Sequence, residues 1–265
     1  MPPEPVRLGI WGAAGRLGSR IVQLAPQAPS VRVERAWVRT GSALLGTAVP
    51  GVDGLRFSAD GEGLAACDVV MDVSLADAAA AHLKMAVRGK KPLLMAVTGL
   101  SSETSDALPA AAVEIPLCVA PNLSAGVWVL AHLVKQASRA LADFDVEISE
   151  THHRLKKDAP SGTAMLLGNH VAEGRGVTLV DVMERSRATT HGAREGGTVG
   201  MSSLRGGDVV GDHTVFFFGD GERLELTHRA HSRDTFARGA LTLSVRLHRR
   251  SAGRVTVPEL LDLGR

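Results

Sequence analysis

The chain carries a dense group of titratable side chains within residues 150–164, which run Glu-Thr-His-His-Arg-Leu-Lys-Lys-Asp-Ala-Pro-Ser-Gly-Thr-Ala. A histidine there, His152 or His153, can transfer a proton near neutral pH. Lys156 or Lys157 can bind an anionic substrate or supply a proton. These residue types, close together, predict an anion-binding site with an acid beside it.

A strand and a helix are expected to hold this group on the loop between them. Residues 145–150 alternate polar and apolar, which predicts a half-buried strand. Residues 164–172 predict a helix, for which Ser161 is a suitable N-cap. The first turn of that helix would offer the backbone N–H groups of Gly162 and Thr163 to a carboxylate or a phosphate.

A solvated surface turn is the alternative for any basic loop with two histidines. Adjacent histidines in an extended segment point to opposite sides, and no further ligand follows at a useful spacing. No metal site is therefore predicted.

A glycine-rich turn follows the first apolar stretch of the chain. Residues 6–11 are predicted as a buried strand and residues 16–24 as a helix, and Gly12, Gly15 and Gly18 lie in and around the turn between them. In dinucleotide-binding proteins the first glycine permits the turn, the second lets backbone approach a pyrophosphate, and the third allows close helix–strand packing. A glycine turn with only a structural role is the alternative.

The order of the predicted elements indicates an α/β chain with two domains. Strands and helices alternate in the first half, which predicts a doubly wound parallel sheet of the Rossmann type. After a long helix from Ser124 to about Leu141, strand candidates with glycine-rich turns predict a smaller α+β domain with a mixed open sheet. The predicted division is a dinucleotide-binding domain at 1–122, a substrate-binding and oligomerisation domain at 123–232, and a return to the first domain at 233–265.

Composition excludes several classes of protein. A net charge of +2 over 265 residues, with aromatic residues at 3% and no tyrosine, gives no basic patch or base-stacking surface for nucleic acid. No apolar run approaches the roughly 18 residues of a membrane span, and the first residues lack a signal peptide's pattern. We therefore expect a cytoplasmic protein. Cys67 and Cys118 have apolar neighbours and are predicted to be small core residues.

The group at residues 150–164 resembles the signature of the 4-hydroxy-tetrahydrodipicolinate reductase (dihydrodipicolinate reductase) family, Glu-x-His-His-x-x-Lys-x-Asp-Ala-Pro-Ser-Gly-Thr-Ala, at every fixed position. Other stretches resemble family motifs in the same order: the glycine turn, with Leu17 for the family's methionine, and residues 41–46, 121–127, 206–214 and 232–240. The resemblance implies an NAD(P)H-dependent reductase that acts on a cyclic imine dicarboxylate in the diaminopimelate and lysine pathway.

The same resemblance implies roles for individual residues. His152 would be the general acid, and Lys156 would hold a substrate carboxylate or serve as proton donor. The substrate-binding residues would be His153, Gly162 and Thr163. The cofactor-binding residues would be Gly12, Ala13, Gly15, Arg16, Leu17, Gly18, Arg39, Val73, Ser74, Ala96, Thr98, Ala120 and Asn122.

The end of the second predicted strand, residues 31–38, bears on the choice of cofactor. Many family members have an acid where this chain has Val38, and an acid there contacts the adenosine ribose of NAD. Without it, Arg39, with Arg16, can bind the 2′-phosphate of NADPH. NADPH is therefore predicted, with NADH as a possible cofactor. The alternative is that Val38 is an ordinary sheet residue and Arg39 is solvated.

The family resemblance also implies a homotetramer joined through the second domain and a hinge near Leu123 and Ser232. Val73, Ala96 and Val97 depart from the family motifs near the nicotinamide half. These departures leave open a related NADPH-dependent reductase of another imine or keto acid. A non-catalytic NADP(H)-binding sensor is the other alternative, but it should have lost His152 and Lys156, which are both present.

Overall fold

The computed structural model describes residues 4–185, 187 and 192–263. The chain forms two compact units. The first comprises Met1–Ser124 and Asp234–Arg265, and the second comprises Ala125–Arg233. The assignment of a cofactor to the first unit and of substrate to the second stays a prediction.

The first unit contains a parallel sheet with helices along its connections. Its strands are β1 (Val6–Trp11), β2 (Val31–Val38), β3 (Phe57–Ala59), β4 (Val69–Asp72), β5 (Leu93–Met95), β6 (Pro116–Val119) and, near the chain end, β12 (Gly253–Arg254). Its helices are α1 (Arg16–Leu24), α2 (Ala76–Arg88), α3 (Ser102–Glu114), α7 (Asp234–His248) and α8 (Val257–Leu260), with short 3-10 turns at Ala25–Gln27 and Leu64–Ala66.

The strand order is β12-β6-β5-β4-β1-β2-β3, and every pairing is parallel. β1, β4 and β5 are apolar and buried along most of their length because helices cover both faces of such a sheet. From β1 the chain adds β2 and β3 on one side of the sheet and then β4, β5 and β6 on the other, so the strand order reverses between β1 and β4. Ligands of such folds bind outside the carboxyl ends of the strands at that point. The predicted Rossmann-type sheet is thus confirmed.

The second unit combines a mixed sheet with helices on one face. Its strands are β7 (Asp145–His152), β8 (Met183–Glu184), β9 (Val199–Arg205), β10 (Gly211–Gly219) and β11 (Glu222–Ala230), and its helices are α4 (Ala125–Ala140), α5 (Gly162–Arg175) and α6 (Leu179–Val182). The sheet order is β11-β10-β7-β9-β8, with β7, β9 and β8 parallel and β10 and β11 antiparallel. Apolar residues of α4 and α5 pack on the inner face of β7, β9 and β10.

Several elements differ from the sequence-based expectation. β7 extends to His152 rather than ending at Glu150, because β9 pairs with it along Thr151 and His152. His152 therefore lies at the end of a strand and not in the loop. The helix α3 was not predicted; Ser101 caps it by accepting a hydrogen bond from the backbone N–H of Thr104 at 3.2 Å, and it accommodates Pro109. Among the described residues, no helix is long and apolar enough to span a membrane.

Candidate active site

The inner face of the mixed sheet changes from apolar to polar along its strands. On β7, Val146 and Ile148 are followed on the same face by Glu150 and His152, and all four are buried. Because β9 is parallel to β7 and in register, Ser203 lies opposite Glu150 and Arg205 opposite His152. On β10, His213 pairs with Glu150. Sheet pairing thus collects a carboxylate, two imidazoles and a guanidinium at one end of the sheet.

Glu150 is the buried anion of this group, and its residue is 1% exposed. Arg205 donates to it through both terminal nitrogens, Nη1 to Oε2 at 2.9 Å and Nη2 to Oε1 at 2.8 Å. The backbone N–H of Ser161 donates to Oε1 at 3.2 Å. Burial raises the pKa of this carboxyl, but hydrogen bonds from Arg205, Ser203 and His152 outweigh burial and lower it to about 2. Glu150 is therefore ionised at neutral pH.

His152 is bonded through its Nδ1 to Oε2 of Glu150. Its ring packs edge-on against the ring of His213, with centroids 5.1 Å apart. Burial lowers the pKa of His152, Glu150 raises it, and the charges of Lys156 and Arg205 lower it further. Burial also lowers the pKa of His213 to about 4, so that ring is neutral near neutral pH. Of these two rings, His152 is the one bonded to a carboxylate, and Glu150 favours its protonated form.

Lys156 and His153 flank this group. The ammonium of Lys156 donates to both carboxylate oxygens of Asp158 at 2.9 Å, and this pairing lowers the pKa of Asp158. An incoming carboxylate would have to replace Asp158 as the partner of Lys156. His153 is half-buried, and its Nε2 accepts a hydrogen bond from Nη2 of Arg233 at 3.3 Å.

The helix α5 begins beside Glu150. Its N-cap is Ser161, as predicted: the side-chain oxygen accepts from the backbone N–H of Ala164 at 3.1 Å and also contacts Nε2 of His213 at 3.1 Å. Gly162 and Thr163 form the first turn of α5, the part of a helix whose backbone N–H groups face away from the helix and suit an anion. Gly162 is exposed, and a Cβ built on it would meet nothing within 4 Å.

The glycine turn after β1 packs closely against neighbouring backbone. Gly12 has φ +78°, and a Cβ on it would lie 2.8 Å from Cα of Ser74. A Cβ on Gly18 would lie 2.1 Å from the carbonyl oxygen of Gly12, so α1 packs directly on the turn. Gly15 is exposed and begins α1 as its N-cap. A side chain at Gly12 or Gly18 would overlap backbone, whereas a Cβ on Gly15 would meet only the Gly12 carbonyl oxygen, at 3.1 Å.

The other predicted cofactor residues follow the ends of parallel strands. Val73 comes directly after β4, Ala96 after β5, Ala120 after β6 and Arg39 after β2. Parallel strands have their carboxyl ends at one edge of the sheet, so these positions lie along the same edge as the glycine turn. Within this set Ala13 and Ala120 are buried, Ser74 and Leu17 are half-buried, and Arg16, Arg39 and Thr98 are exposed. The Asn122 side chain accepts from the backbone N–H of Ser124 at 2.8 Å.

Ser74 belongs to a buried hydrogen-bonded group at this edge. Its hydroxyl donates to Oδ1 of the fully buried Asp72, whose Oδ2 is 2.9 Å from Nδ1 of His82. The ring of His82 stacks on that of Trp11 at 4.7 Å. The Ser74 hydroxyl is therefore engaged inside the protein. Val97, one of the departures from the family motifs, is 5% exposed and packs in the apolar core.

An acid close to Arg39 was missed from the sequence. Asp60 follows β3, the neighbour of β2, and burial raises its pKa while His82 and Arg39 lower it. Val38 itself is 7% exposed. An aspartate at position 38 would be buried and costly, so Arg39 and Asp60 are the better positions at which to examine cofactor choice.

Arg205 and His213 were likewise given no role from the sequence, although both lie in or next to the stretch at 206–214. Both residues are far from Glu150 in sequence, so the sequence gives no direct sign of their contacts with it. The one available signal was that charged or imidazole residues recur at inward-facing positions of the predicted strands.

Cys67 and Cys118 are fully buried, as predicted, and burial raises the pKa of their thiols to about 11 and about 12. Among the described residues, no group of three or more histidine, cysteine, aspartate or glutamate side chains could hold a metal ion.

A Rossmann-type sheet with its glycine turn, together with a separate unit that carries an acid–base group, defines the class of pyridine-nucleotide-dependent reductases. The model of the dihydrodipicolinate reductase N-terminus matches residues 6–123, and that of the C-terminus matches residues 126–261. The chain belongs to the 4-hydroxy-tetrahydrodipicolinate reductase (dihydrodipicolinate reductase) family.

Individual relatives agree with this assignment. A 4-hydroxy-tetrahydrodipicolinate reductase of Zymomonas mobilis is 44% identical over 262 residues, which cover 97% of this chain and 98% of the relative. One of Pseudomonas fluorescens is 41% identical over 265 residues, covering 97% of this chain and 99% of the relative. The solved structure of a dipicolinate-bound dihydrodipicolinate reductase from Paenisporosarcina sp. TG-14 has the same fold, with TM-score 0.77, 22% identity, and coverage of 95% of this chain and 97% of that one.

Proposed function

We propose that this chain reduces 4-hydroxy-tetrahydrodipicolinate to tetrahydrodipicolinate with NADPH. The observation that carries the proposal is the buried Glu150–His152 pair beside Lys156 and the N-terminus of α5. Such a group offers a proton and binding positions for a dicarboxylate. When bound, the cofactor supplies a hydride to the unsaturated heterocycle.

The residues of the second unit would divide the remaining work. His152 would give the proton that completes the reduction, because Glu150 is bonded to its Nδ1 and favours the protonated ring. Lys156 would exchange Asp158 for a substrate carboxylate or act as proton donor. Gly162 and Thr163 would bind a carboxylate at the start of α5, and His153 would assist substrate binding.

The residues of the first unit would hold the cofactor. The backbone at Gly12, Gly15 and Gly18 suits a pyrophosphate, with the positions directly after β4, β5 and β6 near the nicotinamide half. The full set proposed is Gly12, Ala13, Gly15, Arg16, Leu17, Gly18, Arg39, Val73, Ser74, Ala96, Thr98, Ala120 and Asn122. Ser74 would contribute through its backbone, since its hydroxyl is bonded to Asp72.

Turnover with the authentic substrate tests the proposal. The substrate would be generated from pyruvate and aspartate semialdehyde by its synthase, and the oxidation of NADPH would be followed at 340 nm. We expect a rate well above that of the synthase alone. Folded protein that binds NADPH but gives no such rate would favour a related reductase of another imine or keto acid.

The preference for NADPH over NADH rests on Arg39, which is exposed directly after β2. We expect Arg39→Ala to raise the KM for NADPH about tenfold while leaving the KM for NADH within twofold, since a lost charged hydrogen bond is worth roughly 1.5–3 kcal/mol. Asp60→Asn should shift preference further toward NADPH by removing a nearby negative charge.

Arg32→Ala is the matched control for this experiment. Arg32 is an exposed arginine on the same strand, but it lies near the opposite end of β2. Equal effects of Arg32→Ala and Arg39→Ala on both cofactors would show that general charge, and not the 2′-phosphate, is responsible.

We also infer a homotetramer that forms through the outer face of the mixed sheet and a cytoplasmic location. The outer face carries Leu204, at 53% exposure, and the stacked rings of Phe216 and Phe218, 5.7 Å apart. Exposed apolar side chains on an open sheet face support association.

A further inference from the structure

Hydrogen-bond donors from four residues converge on the buried carboxylate of Glu150, namely Arg205, Ser161, Ser203 and His152. The guanidinium of Arg205, the backbone N–H of Ser161 and Nδ1 of His152 all contact its carboxylate oxygens. Only 1% of its side-chain surface is exposed to water. Charged groups in such a position are normally paired to compensate the loss of hydration. Here the pairing also connects the buried anion directly to the proposed acid.

We propose that Glu150 is a positioning residue for His152: it holds the Nδ1 proton, so that Nε2 is the nitrogen that gives a proton to the substrate, while Arg205 keeps the Glu150 carboxylate in place. The inference rests on the proposed role of His152 as the acid. It assigns functions to a carboxylate and a guanidinium that lie 55 residues apart in sequence.

The choice of nitrogen follows from donor and acceptor rules. An ionised carboxylate can only accept hydrogen bonds, so the Nδ1 atom that contacts Glu150 must carry a hydrogen. When the imidazole gives up its second proton, that proton leaves from Nε2. A Cβ built on Gly211 would lie 3.0 Å from Nε2, so the glycine on β10 leaves room around this atom.

Arg205 fixes the carboxylate from the neighbouring strand. Its planar guanidinium makes a two-pronged contact with Glu150, and Nη2 also donates to the carbonyl oxygen of Asp158 at 2.6 Å. Arginine remains protonated at all relevant pH values. The same side chain therefore connects Glu150 to the loop that carries Lys156.

The charged groups that face His152 come from every element around it. Glu150 lies on its own strand, Arg205 on β9, His213 on β10 and Lys156 in the loop before α5. Glu150 favours the protonated ring, whereas Arg205 and Lys156 disfavour it. Loss of Glu150 and loss of Arg205 should therefore have opposite effects on the protonation of His152.

The alternative is that Glu150 and Arg205 only stabilise the end of the sheet. In that case either substitution would loosen the structure, and the two variants would change the reaction in the same direction. The sign of the effect on His152 distinguishes these roles, which a loss of activity alone would not.

The experiment measures the titration of His152 by NMR on protein with 13C-labelled histidine, in parallel with the pH dependence of kcat. We expect Glu150→Gln to lower the His152 midpoint by about one pH unit, in line with the usual effect of an adjacent opposite charge. Because the acid must be protonated, the loss of activity at high pH should move to lower pH, with kcat at pH 7 reduced about 10- to 100-fold and KM changed less than about threefold.

Arg205→Met should move the His152 titration midpoint and the loss of kcat at high pH in the opposite direction, to higher pH. Glu147→Gln is the matched control, since Glu147 lies on the outer face of the same strand and is also paired with an arginine, Arg194, at 3.1 Å. It should leave the His152 midpoint unchanged.

The outcomes separate the proposal from the function on which it rests. Shifts of the same sign in Glu150→Gln and Arg205→Met, or no shift in Glu150→Gln, would overturn the positioning role. Wild-type protein without reductase turnover would overturn the proposed function, while the NMR midpoints would still report whether Glu150 controls His152. If Glu150→Gln does not fold, Arg205→Met and the control still test the predicted direction.

Discussion

His152 and His153 are neighbours in the chain with different surroundings. His152 is buried at the end of β7 and bonded to Glu150, whereas His153 lies beyond the strand and contacts Arg233. The strand periodicity separates them, because successive side chains point to opposite faces. These surroundings fit the proposed division of roles, with His152 as the proton donor and His153 as a substrate-binding residue.

His152→Gln should reduce kcat by about 100-fold or more, the usual contribution of a general acid, with a small change in KM. The reason is that glutamine can fill the space and accept a hydrogen bond but cannot deliver a proton at neutral pH. Steady-state kinetics with the synthase-coupled substrate measure both constants.

His170→Gln provides the control for His152→Gln. His170 lies on α5 and bonds through its own ring to the carbonyl oxygen of Leu166 at 2.9 Å. It should retain wild-type turnover. Full turnover by His152→Gln would remove His152 from the reaction.

The element that we propose for nucleotide binding consists of β1, the glycine turn and α1. Its helix can approach the turn only because position 18 has no side chain: the Cβ of an alanine there would meet the Gly12 carbonyl oxygen at 2.1 Å and Cα of Ala13 at 2.8 Å. The obstacle is backbone, which cannot move aside as a flexible side chain can.

Gly18→Ala should therefore lower both stability and cofactor affinity. We expect a loss of about 1–3 kcal/mol in the free energy of unfolding, as for other overpacked sites, and weaker NADPH binding in a fluorescence titration. Gly196→Ala is the control, because a Cβ there would meet nothing within 4 Å. An unchanged Kd for Gly18→Ala would contradict the proposed pyrophosphate site.

Acid sensitivity is a property of the whole molecule that follows from its buried histidines. Burial lowers the pKa of His213 to about 4 from its usual 6.5, so between these values the unfolded chain binds a proton that the folded protein does not. The stability that neutral His213 contributes is therefore fully present above about pH 6.5 and is lost as the pH falls toward 4. Burial lowers the pKa of His152 and His228 as well, with the same sign.

Urea unfolding followed by circular dichroism should show this loss. The share of His213 is about 3 kcal/mol, since one pKa unit corresponds to about 1.4 kcal/mol. Glu150, with a pKa lowered to about 2 from 4.5, should add a further loss between those pH values. In His213→Gln the free energy of unfolding should fall less steeply between pH 6.5 and pH 4 than in the wild type. Both proteins would be referred to their value at pH 8, where neither is charged at this position. An equally steep fall in the variant would contradict this account.

Assembly can be examined through the outer face of the mixed sheet. Leu204→Glu should convert a tetramer into smaller species in sedimentation equilibrium, because it places a charge in the apolar contact. Val113→Glu is the matched control, since Val113 is 77% exposed on α3 in the other unit. A monomeric wild-type protein would contradict the tetramer at once.

The sequence by itself determined the elements whose signals are local. β1, α1 and β2 have the predicted bounds, and Ser161 caps α5 as expected. Periodicity, glycine spacing and capping residues all act within a few positions, so they can be identified without the fold. The motif at residues 150–164 and the family to which the chain belongs were likewise recognisable from the sequence.

Tertiary structure decided what surrounds the chemistry. It extended β7 to His152, placed Arg205 and His213 around Glu150 through strand pairing, put Asp60 within electrostatic range of Arg39, and directed Val97 into the core. These contacts join residues that are far apart in sequence, and no local pattern encodes which strands become neighbours. Residue types thus predicted a histidine acid at position 152 or 153, and the family resemblance favoured His152, whereas the partners and the pKa of His152 depended on the register of the sheet.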